Sequence, residues 1–258
     1  MSTISGINNA LASSYESMSS GLRINSAADD AAGLSIVEKE NAQVKGLNAG
    51  ANNMATAKDA LNIADGALKN VNDYLQRIRE LAVGASNTAT VSDNERAAMQ
   101  VEVEHLLQGI EDIARDTNYN TNPLLDGSKA SFNLATDGNG NTMEIEATNS
   151  TLAALGMEGF DLTKDFSIST IDNAISKVSE ARSSMGAQSN ALEHAMRYNS
   201  SAAEYIENAK SRVEGLDYYE AVSEKKKEEA LMQYALLMQK KKMEAEQNNS
   251  KKMLDTMT

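Results

Sequence analysis

Cysteine is absent from the 258 residues, which removes disulfide frameworks, thiolate metal sites and cysteine nucleophiles. Its absence suits a protein that meets an oxidising exterior. Tryptophan is also absent, aromatic residues make up only 4%, and Pro123 is the single proline. A compact enzyme core normally draws on more large side chains, and one proline leaves few obligate helix breaks. No stretch approaches the ~20 apolar residues that a membrane helix needs, so no membrane insertion is expected. The opening segment MSTISGINNALASSYESM has neither a basic n-region nor an apolar h-region, and no secretory signal peptide is read there. Basic charge is short as well. A formal net charge of −13 and a pI near 4.7 argue against a nucleic-acid surface.

Candidate chemistry is equally thin. His105 follows Glu102 by three positions, but no second histidine stands at metal spacing, and His194 is read as a surface or seam residue. Asp137-Gly-Asn-Gly-Asn141 resembles a calcium loop only in part. Thr142 and Thr148 stand where an EF-hand needs Gly and Glu, so a hairpin turn is expected. The carboxylate pairs Asp29-Asp30, Glu38/Glu40 and Glu228-Glu229 lie on helical segments without pocket-forming surroundings and read as solvated faces. Asn149-Ser150-Thr151 matches a glycosylation sequon, a triplet common by chance. No phosphate loop or nucleophile elbow is present. No catalytic residue, metal or cofactor is expected, and the chain is not read as an enzyme.

What the sequence does hold is helical periodicity. Ile4, Ile7, Leu11, Tyr15, Met18 and Leu22 form one apolar stripe at helical spacing. Leu47, Ala51, Met54, Ala57, Leu61, Ala64, Leu68, Val71, Leu75, Ile78 and Ala82 form another, which alternates in steps of 3 and 4 from Leu61 onward like a coiled-coil seam. Alanine in such seams lets helices approach closely without side-chain entropy loss. A helix from Ala27 to Gly84 would be about 85 Å long. After a polar loop at 85–92, Ser92 and Glu95 form a capping box, and Met99, Val103, Leu106, Ile110 and Ile113 mark the next apolar face. That helix is expected to end at the Asn-rich run before Pro123 and Gly127.

SFNLAT and TMEIEA alternate apolar and polar residues around DGNGN, which predicts a β-hairpin. The helical period returns at Ile168 with Ile171, Ile175, Val178, Met185, Leu192, Met196, Ala203, Ile206, Val213 and Leu216, and runs through Tyr218–Glu220 into the Lys-rich end. From Glu224 to Asp255 eight Lys face six acidic residues, so interleaved Glu nearly cancels the basic blocks and a solvated helix is read there. The fold class expected is all-α dominated: an elongated antiparallel bundle or coiled coil of long N- and C-terminal helices with a small β-hairpin region.

Between the first two stripes stands SSGLRINSAADDAAGLSI, residues 19–36. Physically it reads as a stop and restart: Gly21 ends one helix, Ser26 caps the next with Asp29 at the third position, and Asp30 falls in the first turn. The stretch closely resembles the N-terminal signature of bacterial flagellins. LQRIRELAVGASN (75–87), TNYNTNPLLDGS (117–128), ARSSMGAQSNALEHA (181–195) and AKSRVEGLDYYEAVS (209–223) also resemble flagellin segments, in family order.

That resemblance implies a structural subunit that self-assembles into the flagellar filament for motility. It implies export through the flagellar type III apparatus without a cleaved signal, and an extracellular location. Terminal helices would stay disordered until they dock, after which burial of apolar stripes drives packing. It divides the chain into a shortened inner-core helix (1–22), outer-core helices (23–127), a short hairpin region (128–168), a C-terminal outer-core helix (169–223) and a Lys/Glu-rich inner-core helix (224–258). Gly21, Leu22, Arg23, Asn25, Asp29 and Asp30 would form the link between cores, with Arg23 and Asn25 meeting either a neighbouring subunit or an intrachain partner. Gln76, Arg77, Arg79, Glu80, Leu81 and Val83 match the segment recognised by host Toll-like innate receptors. The family's Glu in the following helix is replaced by Gly109, with Glu111 nearby. Leu231, Tyr234, Ala235 and Met238 form a stripe that fits a groove of the flagellar export chaperone. Further implied partners are the protein itself and the filament cap and junction proteins. Two other roles stay open: a hook–filament junction protein, and a non-polymerising flagellin-like helical adaptor.

Overall fold

The structure is a computed structural model that describes residues 2–87, 89 and 91–255. The expectations for Met1, for Thr88 and Thr90 of the polar loop, and for the last three residues of the 224–258 segment lie outside the described residues. The chain divides into two units, Met1–Ala42 with Glu204–Thr258, and Gln43–Ala203. The elements are α1 (Ser2–Ser20), α2 (Ala31–Ala85), α3 (Asp93–Asp116), β1 (Asn118–Tyr119), β2 (Asn122–Pro123), β3 (Ser131–Ala135), β4 (Thr142–Glu146), α4 (Leu152–Leu155), α5 (Ile168–Glu214) and α6 (Tyr218–Asp255).

In the unit Gln43–Ala203, the seam read from the sequence is the core. Met54, Leu68, Val71, Leu75, Ile78 and Ala82 of α2 are fully buried against Ile171, Ala174, Val178, Met185 and Leu192 of α5. The capping box of α3 also forms, with the Ser92 side chain accepting from the Glu95 backbone and the Glu95 carboxylate accepting from the Ser92 backbone. Val103 and Ile110 face inward as expected, and the other inward positions of α3 fall one residue later. Gln100, Val103, Leu107, Ile110 and Ala114 are buried, while Met99, Leu106 and Ile113 lie half-buried at its margin. Both sets keep the helical period, so only the rotation of the helix chose between them.

Charges fix how α2 and α5 run together. Lys58 meets Glu193 at 3.1 Å, Asp65 meets Arg182 at 2.8 Å, and Arg79 meets Asp172 at 2.7 Å. Ascending positions on α2 pair with descending positions on α5, which makes the helices antiparallel. The signs alternate along α2 and are mirrored on α5, so a slip of one ion pair would oppose like charges. Each pair is at least partly solvated and contributes about 1 kcal/mol or less.

The β3–β4 hairpin runs Ser131↔Glu146 to Ala135↔Thr142. It lies on α2 because two glycines clear the way. A Cβ on Gly46 would come within 2.7 Å of the Gly138 backbone, and one on Gly50 would strike the Thr136 carbonyl. Asn53 donates to the Ala135 carbonyl, and Asn199 of α5 donates to the carbonyls of Thr136 and Leu47. The Asp137 carboxylate accepts from the backbones of Asn139 and Asn141 and from the Asn141 side chain, which is the hairpin turn expected of this loop. A second, minimal hairpin joins β1 and β2 through Asn120 and Thr121, both at positive φ.

In the unit Met1–Ala42 with Glu204–Thr258, α1 packs along α6. Ser14 donates to Glu228 at 2.7 Å and the Lys225 ammonium lies over the Tyr15 ring. Tyr15 of the expected stripe also lies against α6, its hydroxyl donating to Glu229 at 3.3 Å, although it is 49% exposed, and Ser14 joins it on that face. Among the described residues of this unit, Ile24 and Val37 are the buried apolar ones, and Gly33 is bare where a Cβ would press on Ile24.

Candidate functional site

The segment 21–30 is a built connection. Gly21 takes a left-handed backbone (φ +72°) after the last turn of α1, its amide donating to the Ser17 carbonyl. Leu22 then forms an antiparallel bridge with Gly215, and the Arg23 amide and guanidinium donate to the carbonyls of Glu214 and Val213. Those carbonyls belong to the last turn of α5, where unpaired acceptors draw a cation. Asn25 donates to the Leu22 carbonyl at 3.0 Å. Arg23 and Asn25 therefore have intrachain partners, one of the two alternatives read from the sequence.

Capping differs from the expectation. The Asp29 carboxylate accepts from the amides of Asn25 and Ser26 and from the Ser26 hydroxyl, and these hydrogen bonds hold it below the usual carboxylate range. It closes the turn rather than starting the helix. Asp30 is the cap: its side chain accepts from Gly33 at 2.8 Å, and α2 begins at Ala31 instead of Ala27.

The partner break also moves. The sequence reading carried one helix through 169–223, whereas α5 stops at Glu214 and α6 starts at Tyr218. Gly215 packs where a Cβ would strike the Ser211 carbonyl, and Asp217 caps α6 by accepting from Tyr219 and Glu220. The triplet Gly-Leu-Asp held that stop-and-cap signal, and the continuous apolar period on either side masked it.

The segment 76–83 lies on α2. Gln76, Arg77, Arg79, Glu80 and Val83 are exposed, and Leu81 is buried at 9%. Arg77 bridges Glu80 at 3.0 Å and Glu102 of α3 at 2.7 Å, and the two carboxylates raise its pKa further. Tyr74 lies over Gly109, where a Cβ would come within 2.8 Å of the ring. Glu111 lies on the same helix, two residues beyond Gly109. It accepts from the Leu152 amide and pairs with Arg115, anchoring the short α4. Gln100 was not singled out in the sequence, yet its side-chain carbonyl accepts from the buried Leu162 amide at 2.7 Å and ties the 157–166 loop to α3.

On α6, Leu231, Tyr234 and Met238 are 46%, 61% and 50% exposed, with Ala235 half-buried beside them. Leu236, Leu237 and Met243 are also exposed, and no described residue of α6 is buried. His105 and His194 are both exposed, and no cluster of metal-ligating side chains occurs among the described residues. No described helix is long and apolar enough to cross a membrane.

These long helices, interrupted at Gly21 and Gly215 and carrying apolar side chains on their outer faces, define a helical structural protein. The family model for the bacterial flagellin N-terminal helical region matches residues 1–130, and that for the C-terminal helical region matches residues 168–248. A flagellin of Halalkalibacterium halodurans is 38% identical over 81% of this chain and 79% of its own length. A flagellar filament 33 kDa core protein of Treponema phagedenis is 32% identical over 83% of this chain and 82% of its own. The crystal structure of Bacillus cereus flagellin superposes with a TM-score of 0.52 at 27% identity, over 57% of this chain and 88% of that one. The chain belongs to the bacterial flagellin family.

Proposed function

We infer that the chain is a structural subunit of the bacterial flagellar filament, acting outside the cell by self-assembly and without a catalytic step. The observation that carries this reading is α6, a 38-residue helix in a flagellin-family chain with no buried residue among those described. Such a face is completed by docking, and burial of apolar area at about 25 cal/mol per Å2 supplies the drive. Export runs through the flagellar type III apparatus, which a cysteine-free, helix-rich chain passes unfolded. Before export the stripe Leu231, Tyr234, Ala235 and Met238 seats in a chaperone groove. It is supported by its exposure and its helical spacing. Cap and junction proteins meet the ends of the polymer. A host innate receptor engages the exposed side chains among Gln76–Val83, with Gly109 removing one carboxylate from that surface.

Electron microscopy of the purified protein after seeding tests the reading. Filaments of uniform diameter are expected. A persistent monomer would contradict it, and retention of the protein inside cells, away from culture supernatant, would favour the adaptor role.

A further inference from the structure

We propose that the gap between the β3–β4 hairpin and α2 is a binding site for a small neutral molecule built on an aromatic ring, with one hydrogen-bonding group at its edge. The gap exists because α2 presents Ala57, Ala60 and Ala64 where the hairpin presents Phe132, Leu134 and Ile145. Three methyl groups do not fill the distance that Gly46 and Gly50 set farther along the helix, and a cavity of about 250 Å3 remains. An apolar cavity of about 150 Å3 stays dry and takes up benzene, so one of this size holds about ten non-hydrogen atoms. That is too little for a helix or a strand and matches a small molecule.

The lining also decides the chemistry. No Lys or Arg lines the cavity, and its single ionisable carboxylate, Glu146, is exposed and marks the mouth, so an anion is disfavoured. Most polar groups around it are occupied. The Asn53 amide donates to Ala135, the Thr56 hydroxyl to Asn52, and the Asn122 carbonyl accepts from Lys129. The Tyr119 hydroxyl makes no hydrogen bond among the described residues, which leaves it for one polar edge of a ligand. Met185 of α5 adds a polarizable sulfur to the ring-facing wall.

Indole is the probe, because the chain contains no tryptophan and indole emission is read without background. Titrating the unassembled full-length chain should give a saturable blue shift at one indole per chain. Ala60→Leu and Ala57→Leu, each filling the gap, should weaken binding at least tenfold without lowering the thermal midpoint. Absence of a saturable shift would overturn the proposal, as would undiminished binding in both folded variants. The titration uses unassembled protein, so it stands apart from whether filaments form.

Discussion

The helices α2 and α6 are both long, and they spend their apolar residues differently. Along α2, large side chains recur at steps of 3 and 4 and vanish from solvent against α5 and α3. Along α6, Leu231, Tyr234, Leu236, Leu237, Met238 and Met243 stand at 46–61% exposure and are diluted by Lys and Glu. The difference separates a helix that is complete within the chain from one that, in the proposed function, a partner completes. Helical period alone does not distinguish them, because both have it.

The largest break in that comparison is Leu75→Ala. Leu75 is fully buried, and its truncation should lower stability by about 2–5 kcal/mol. Leu231→Ala on α6 should change it by no more than about 0.5 kcal/mol. Urea unfolding of both variants reads the contrast directly, and equal losses would erase it.

A smaller effect is expected from Gly50→Ala. Alanine raises helix propensity, yet the new methyl strikes the Thr136 carbonyl, so the hairpin must lift from α2. A net loss of about 1–3 kcal/mol should appear in the same measurement, with changed amide shifts confined to 135–141. A gain in stability would show that the hairpin is not seated on the glycines.

The smallest effect is a pH dependence. The Asp161 carboxyl is held down to about 2 by the Thr163 hydroxyl, the Lys164 ammonium and the Thr163 amide. Because its folded value lies below the unfolded one, the unfolded chain takes up the proton first. Its contribution is therefore complete above about pH 4 and fades as pH falls toward 2. The stability difference between wild type and Asp161→Asn should shrink over that window in urea titrations at fixed pH. A constant difference from pH 5 to pH 2 would contradict the assignment.

Much of this fold was legible in the sequence, for reasons that differ by residue. The α2 seam and the Ser92/Glu95 box were readable because period and capping are local properties of consecutive residues. The rotation of α3 was not, since Leu106 and Leu107 satisfy the same period and only the position of the neighbouring helices decides. Asp30 replaced Ser26 as the cap because the bridge to Gly215, a contact across most of the chain, holds the 22–29 turn away from helical geometry. The seat for the hairpin was visible only as two mid-helix glycines four apart, and what they make room for lies about ninety residues later.

Amide hydrogen exchange on the chain before and after polymerisation tests the central claim most directly. The amides of Leu61–Ala82 in α2 should be protected in both states. Those of 231–247 in α6 should exchange rapidly in the free chain and become protected in the filament. Strong protection of α6 in the free chain, unchanged on polymerisation, would contradict the account.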